Sequence, residues 1–174
     1  MNCKGIEKVC CSQRSSPVLW IIGYGNPQRR DDGIGPYVIE RLRKRLVGRT
    51  GIRLISRHQL EPELMEDLRG ADAVILVDAS VGRSFLGGWE WSELEPDRGD
   101  THYLSHHMKP SFLLGLMEMA YGSSPTGWLV SIQGDDFGLG EGLTPRARRR
   151  AREASDAILR FVGTFSLQHD RELM

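Results

Sequence analysis

The chain has no excess of charge, no disulfide framework and no long apolar run, and each absence removes a class of function. Lys plus Arg number 23 and Asp plus Glu number 23 in 174 residues. That balance leaves no whole-chain electrostatic footprint for nucleic acid or an anionic membrane. The three cysteines, Cys3, Cys10 and Cys11, all fall in the first eleven residues. An odd count in a tail makes no disulfide scaffold, and two adjacent thiols without a second pair make no metal clip. The longest apolar run, VLWIIG at 18–23, is far too short to span a bilayer. The first residues carry no apolar core of a secretory signal, so the cytoplasm is the expected location. There is no G-x-S-x-G elbow and no H-E-x-x-H pair, so neither serine hydrolysis nor zincin chemistry has a footing. Internal repeats and low-complexity linkers are also missing.

What is present reads as one domain. Hydrophobic residues make up 40% and charged residues 26%, ordinary for a globular chain of this length. Residues 1–16 read as a disordered extension, 17–166 as the domain and 167–174 as a tail. VLWII (18–22), GIRLIS (51–56), ADAVILVDAS (71–80) and GWLVSIQG (127–134) are apolar and β-branched, as strands buried on both faces should be. GGWEWSEL (87–94), with Trp89 and Trp91 alternating, reads as an edge strand. Between them lie helical patterns. One runs from Ile34 through Val38, Ile39 and Leu42 to Leu46, and a short one covers EPELMEDLRG. A third, at 109–122, has proline in its first turn, and a long one at 143–165 has Thr144 as N-cap and Pro145 in first position. The basic run RARRRAR (146–152) falls on this last helix and reads as a solvated face. Strands alternating with helices predict an α/β fold, a three-layer α/β/α sandwich around a twisted, mostly parallel sheet of about five strands.

In such sheets, sites form outside the carboxyl ends of the parallel strands. That rule selects three places. The first is GYGNPQRRDDG after the first strand, with Asn26, Asp31 and Asp32. The second is Asp78, ending its strand, and the third is THYLSHHMKP, with His102, His106 and His107. Two carboxylates and an imidazole at one sheet edge form a mixed oxygen and nitrogen set suited to a divalent metal such as Ni²⁺ or Zn²⁺. Each residue type also has an ordinary structural role. Asp31 or Asp32 can cap the first helix, Asp78 can cap the turn after its strand, and a loop histidine can be merely solvated. A dinucleotide reading of the turn fails, because the position three after Gly25 is Gln28 and two carboxylates would face the phosphates.

At these residues the sequence resembles the hydrogenase maturation proteases, endopeptidases that trim the C-terminus of the [NiFe]-hydrogenase large subunit. The matching pieces are IIGYGNPQRRDDGIGPYV, HQLEPELMEDLRGADAVILVDAS, SHHMKPSFLLGLMEMA and FGLGEGLTPRARR, in family order from 18 to about 162. The resemblance implies the same three-layer fold, a nickel-loaded large-subunit precursor as partner, and nickel brought by that precursor, with Zn²⁺ or Cd²⁺ as surrogates in a crystal. It implies metal ligation by Asp32, Asp78 and a histidine. Asp32 is a departure, since the family often has Glu there and the side chain is one methylene shorter. SHHMKP offers two histidines; the register of Met108, Leu113 and Leu114 selects His106, with His107 as runner-up and facing substrate. Gly23 and Gly25 are expected to let the chain turn, Asn26 to brace the loop, and Gly33 and Gly35 to leave room for the incoming peptide. His58 and Gln59 are expected to line its groove. No general base is identified, no nucleic acid or membrane partner is expected, and a monomer is expected. The rival reading is a non-enzymatic metal- or nucleotide-binding module on the same fold.

Overall fold

The computed structural model describes residues 17–99 and 108–172, the last seven by backbone only. In chain order the elements are β1 (Leu19–Tyr24), α1 (Ile34–Arg45), β2 (Ile52–Arg57), α2 (Leu64–Asp67), β3 (Ala73–Ser80), β4 (Trp89–Leu94), α3 (Pro110–Tyr121), β5 (Thr126–Gln133) and α4 (Pro145–Glu172). The strands form one sheet in the order β2-β1-β3-β5-β4, every neighbouring pair parallel except antiparallel β4 and β5. The mostly parallel sheet and the edge position of the tryptophan strand follow the patterning. Among the described residues no helix is long and apolar enough to cross a membrane.

The period-two alternation of a strand splits the core into two layers. Ala73, Ile75, Val77 and Ala79 of β3 face the cluster made by α1 and α4. Val74 and Leu76 face the cluster made by α2 and α3. Val74, Ile75, Leu76 and Val77 are fully buried, each side chain contributing about 1.5–3 kcal/mol of hydrophobic stabilisation. That is why this strand is the most continuously apolar in the sequence.

Two helices differ in length from their patterns. Only Leu64–Asp67 is α-helical in the EPELMEDLRG stretch. Around it the Leu64, Met65 and Glu66 amides donate three residues back, to Glu61, Pro62 and Glu63, the tighter geometry of a turn. Helix α4 runs on to Glu172, beyond the 143–165 expected.

The approach of α1 to β1 is set by glycines. A Cβ on Gly23 would lie 2.2 Å from the Gly35 carbonyl oxygen, and one on Gly35 would lie 2.3 Å from the Tyr24 oxygen. Gly33 faces Pro27 in the same way, its Cβ position 2.9 Å from the Pro27 Cα. Gly33 and Gly35 are therefore filled against by the protein's own backbone and leave no room for a peptide. This corrects the role expected of them: Gly35 lets the α1 and β1 backbones touch and Gly33 lets the turn fold against Pro27, which a side chain would prevent.

Candidate functional site at the switch point of the sheet

The chain leaves β1 toward β2 on one side and β3 on the other, so a crevice opens between the carboxyl ends of β1 and β3. A cleft of about 600 Å³ lies there, its wall including Asn26, Arg29, Asp32, His58, Gln59, Asp78 and Lys109. Sequence reasoning named Asn26, Asp32, Asp78, His58 and Gln59 for this edge, and all of these line one cleft. Arg29, Leu60, Met108, Lys109 and Pro110, also in its wall, were not singled out as site residues. His102, His106 and His107 lie outside the described residues. Among the described residues no three His, Cys, Asp or Glu side chains come together as a metal site.

Two consecutive aspartates are sent in different directions by a single turn of 3-10 helix at Arg30–Gly33. Its three-residue repeat places neighbouring side chains about 120° apart. Asp32 turns back on its own loop, where one oxygen accepts the Asn26 amide at 2.9 Å. The Asn26 side chain in turn accepts the Gln28 amide at 2.9 Å, the Asx-type brace expected of it. Gly25, at φ 131°, supplies the conformation that lets this loop close. Arg30 has a positive φ of 45°, a strained backbone for a non-glycine residue. It is held by its amide on Gly140 and its guanidinium on Asp136 at 3.3 Å.

Asp31 points the other way and is fully buried. It accepts hydrogen bonds from the Asp135 amide at 2.8 Å, the Asp136 amide at 3.0 Å, the Thr144 amide at 2.7 Å and the Thr144 hydroxyl at 2.9 Å. Burial alone would raise its pKa, but these donors outweigh it and hold the carboxyl below its ordinary value. Neither aspartate caps α1, whose N-cap is Gly33 with no side-chain hydrogen bond. Asp31 instead ties the β1–α1 turn to the loop 134–144, and Thr144 then caps α4 by accepting the Ala147 amide at 3.3 Å. Asp135 and Asp136, just before the glycine-rich FGLGEGLT piece, and Thr144 at its end are thus the partners of Asp31. Its partners lie 104 to 113 residues away in sequence, too far for any local pattern to reveal.

Asp78 ends the buried stretch of β3 on the α3 face. Its carboxyl is raised to about 6, first by burial and further by the charge of Asp32. Hydrogen bonds from the Tyr24 hydroxyl and the Ala79 amide oppose the rise without cancelling it. Tyr24 is in turn pushed well above the usual tyrosine range by burial and by the Asp78 charge. The two carboxylates are close enough to repel each other across the cleft, and a cation seated between them would relieve that repulsion.

The basic run on α4 is not wholly solvated. Arg146, Arg148, Arg149 and Arg152 are exposed, but the Arg150 side chain is only 12% exposed and pairs with Asp135 at 3.0 Å. It also donates to the Gln133 carbonyl at 2.9 Å. Arg150→Ala should lower stability by about 1–3 kcal/mol through loss of a charge-assisted pair. Arg149→Ala, at an exposed position, should stay within about 0.5 kcal/mol. Thermal unfolding of both variants checks the contrast.

A mostly parallel sheet with two carboxylates facing one cleft at its switch point defines an α/β protein with an acidic pair in that cleft. No protein-family model matches the sequence, and no protein of curated function matches it by sequence. Solved structures do match by fold. The [NiFe] hydrogenase maturation protease HycI from Thermococcus kodakarensis is 24% identical with a TM-score of 0.64, covering 83% of this chain and 91% of its own. The hydrogenase maturating endopeptidase HybD from E. coli is 20% identical with a TM-score of 0.67, covering 84% and 93%. A hydrogenase 2 maturation peptidase from a Thaumarchaeota archaeon is 21% identical with a TM-score of 0.61, covering 84% and 98%. The chain therefore has the fold of the hydrogenase maturation proteases, the family that its sequence resembles.

Proposed function

We propose that the protein is an endopeptidase that removes the C-terminal extension of a nickel-loaded [NiFe]-hydrogenase large-subunit precursor. The observation that carries this reading is the cleft at the switch point, where Asp32 and Asp78 face the same space on the fold of structures named as maturation proteases. Asp32, Asp78 and His106 grip the nickel of the precursor. Oxygen and imidazole donors suit that ion. The nickel comes as part of the substrate, so its seating places the scissile bond beside the metal. A metal there supplies a Lewis acid, which polarises the carbonyl or activates a water. Asn26 holds Asp32 at its angle and Tyr24 holds Asp78, so both carboxylates are set before the substrate arrives. His58 and Gln59 line the path of the peptide, together with His107.

Incubating the protein with purified precursor, with and without nickel, and weighing the large subunit tests this. The expected result is a mass loss at the C-terminus in the nickel-loaded sample only. No cleavage of the loaded precursor would favour a non-enzymatic binding module, and cleavage without nickel would remove the metal as recognition element. Of the two adjacent histidines, His107→Ala should retain substantial processing activity whereas His106→Ala should not; the same mass assay separates them.

A further inference from the structure

We propose that the segment to be removed adds to the sheet as an extra strand, antiparallel to β2 along its outer edge; this rests on the endopeptidase reading above. The Gly51 carbonyl accepts the Leu19 amide at 2.8 Å and the Arg57 carbonyl accepts the Gly25 amide at 3.1 Å. In a parallel strand the amide and carbonyl of a residue point to the same side, and the side alternates along the chain. Residues 51, 53, 55 and 57 therefore face β1, and Ile52, Leu54 and Ser56 present amides and carbonyls away from the sheet. No described residue pairs with that row. An unpaired edge of this kind is a template for an extended peptide.

The occupant follows from where β2 leads. The strand ends at Arg57, and the next residues, His58, Gln59 and Leu60, form part of the cleft wall. The other edge strand, β4, contributes nothing to that wall, nor does β5 beside it. A chain lying on β2 thus enters the cleft without changing direction, whereas one lying on β4 must cross the sheet. The scissile bond sits in the cleft at the carboxyl end of β2. The folded large subunit lies N-terminal to that bond and is too bulky for a strand edge. The free extension lies C-terminal to it and runs back toward the start of β2, which makes the pairing antiparallel. The six residues of β2 span about 20 Å at the usual rise per residue, so about six residues beyond the scissile bond complete the pairing. The hydrogen bonds are to backbone, so the edge reads the extension's length and extended form more than its side chains.

The test uses a proline, which removes the Ser56 amide at a position where that amide serves no bond inside the sheet. Steady-state cleavage of nickel-loaded precursor is measured for the wild type, Ser56→Ala and Ser56→Pro, and amide exchange of the wild type is followed with and without saturating precursor. Ser56→Ala should match the wild type. Ser56→Pro should raise KM about tenfold at unchanged kcat, the scale of one lost hydrogen bond with its neighbours disturbed. The Leu54 and Ser56 amides should exchange more slowly in the complex. Equal KM for a folded Ser56→Pro variant, or unchanged exchange at those amides, overturns the proposal. The exchange measurement decides alone if that variant does not fold. A wild type that cuts no loaded precursor fails the endopeptidase reading itself and takes this inference with it. Cleavage without edge protection fails this inference only.

Discussion

Asp78→Asn is expected to abolish precursor cleavage while making the metal-free protein more stable at neutral pH. The substitution keeps the shape and the acceptor for the Tyr24 hydroxyl but removes the charge that would hold the metal. Loss of a metal ligand in a preorganised site should lower the rate by about a thousandfold or more. Stability moves the other way. The Asp78 carboxyl rises from 3.8 to about 6 in the folded state, so folding favours its protonated form. Its contribution is fully present below pH 3.8 and is lost as pH rises through 6. Above that point the ionised side chain costs about 2–3 kcal/mol. Denaturant unfolding of wild type and Asp78→Asn should therefore diverge between pH 4 and 7, with the variant more stable at the upper end. A wild-type rate of processing would remove Asp78 from the site, and parallel stability curves would remove the burial argument. Asp32→Asn should lose processing to a similar degree, with a smaller stability change because Asp32 is only half-buried.

Asp31→Ala should produce the largest loss of stability. Its carboxylate takes three backbone amides and one hydroxyl with no exposure to solvent. Alanine leaves these part-buried donors without their acceptor, at about 1–3 kcal/mol each before relaxation, and a total above about 4 kcal/mol is expected. Because the folded pKa lies below 3.8, the stabilisation is present above that value and is lost as pH falls through the folded pKa. The gap between wild type and Asp31→Asn should thus be full at neutral pH and shrink in acid below about pH 4. The same variant should process precursor poorly even where it is folded. The Asp31 cradle and the Arg30 amide bond to Gly140 together hold the turn that aims Asp32. A variant as stable as the wild type would show that loop 134–144 is held by other contacts.

The two aspartates measure what was legible in the chain. That both sit at the carboxyl edge of the sheet followed from one apolar run ending at Gly23 and another ending at Asp78, because buried parallel strands announce themselves by continuous hydrophobicity. The same patterning gave the fold class, the edge strand with Trp89 and Trp91, and the helix begun by Pro110. Residue patterning alone did not separate Asp31 from Asp32; only the family resemblance singled out Asp32. Their roles are opposite because a 3-10 turn divides their directions, and because the partners of Asp31 arrive from a loop more than a hundred residues away. Gly33 and Gly35 looked like space for a substrate; only the packed backbones reveal that the space is occupied by Pro27, Tyr24 and Val77. Arg150 looked like its exposed neighbours until α4 was laid beside Asp135. The sequence by itself determined which segments are buried and hence the class of fold, since burial is written locally in the periodicity of apolar side chains. The direction of each polar side chain, and with it the shape and charge of the cleft, was decided only by tertiary structure, since hydrogen bonding and desolvation depend on neighbours the chain brings from far away.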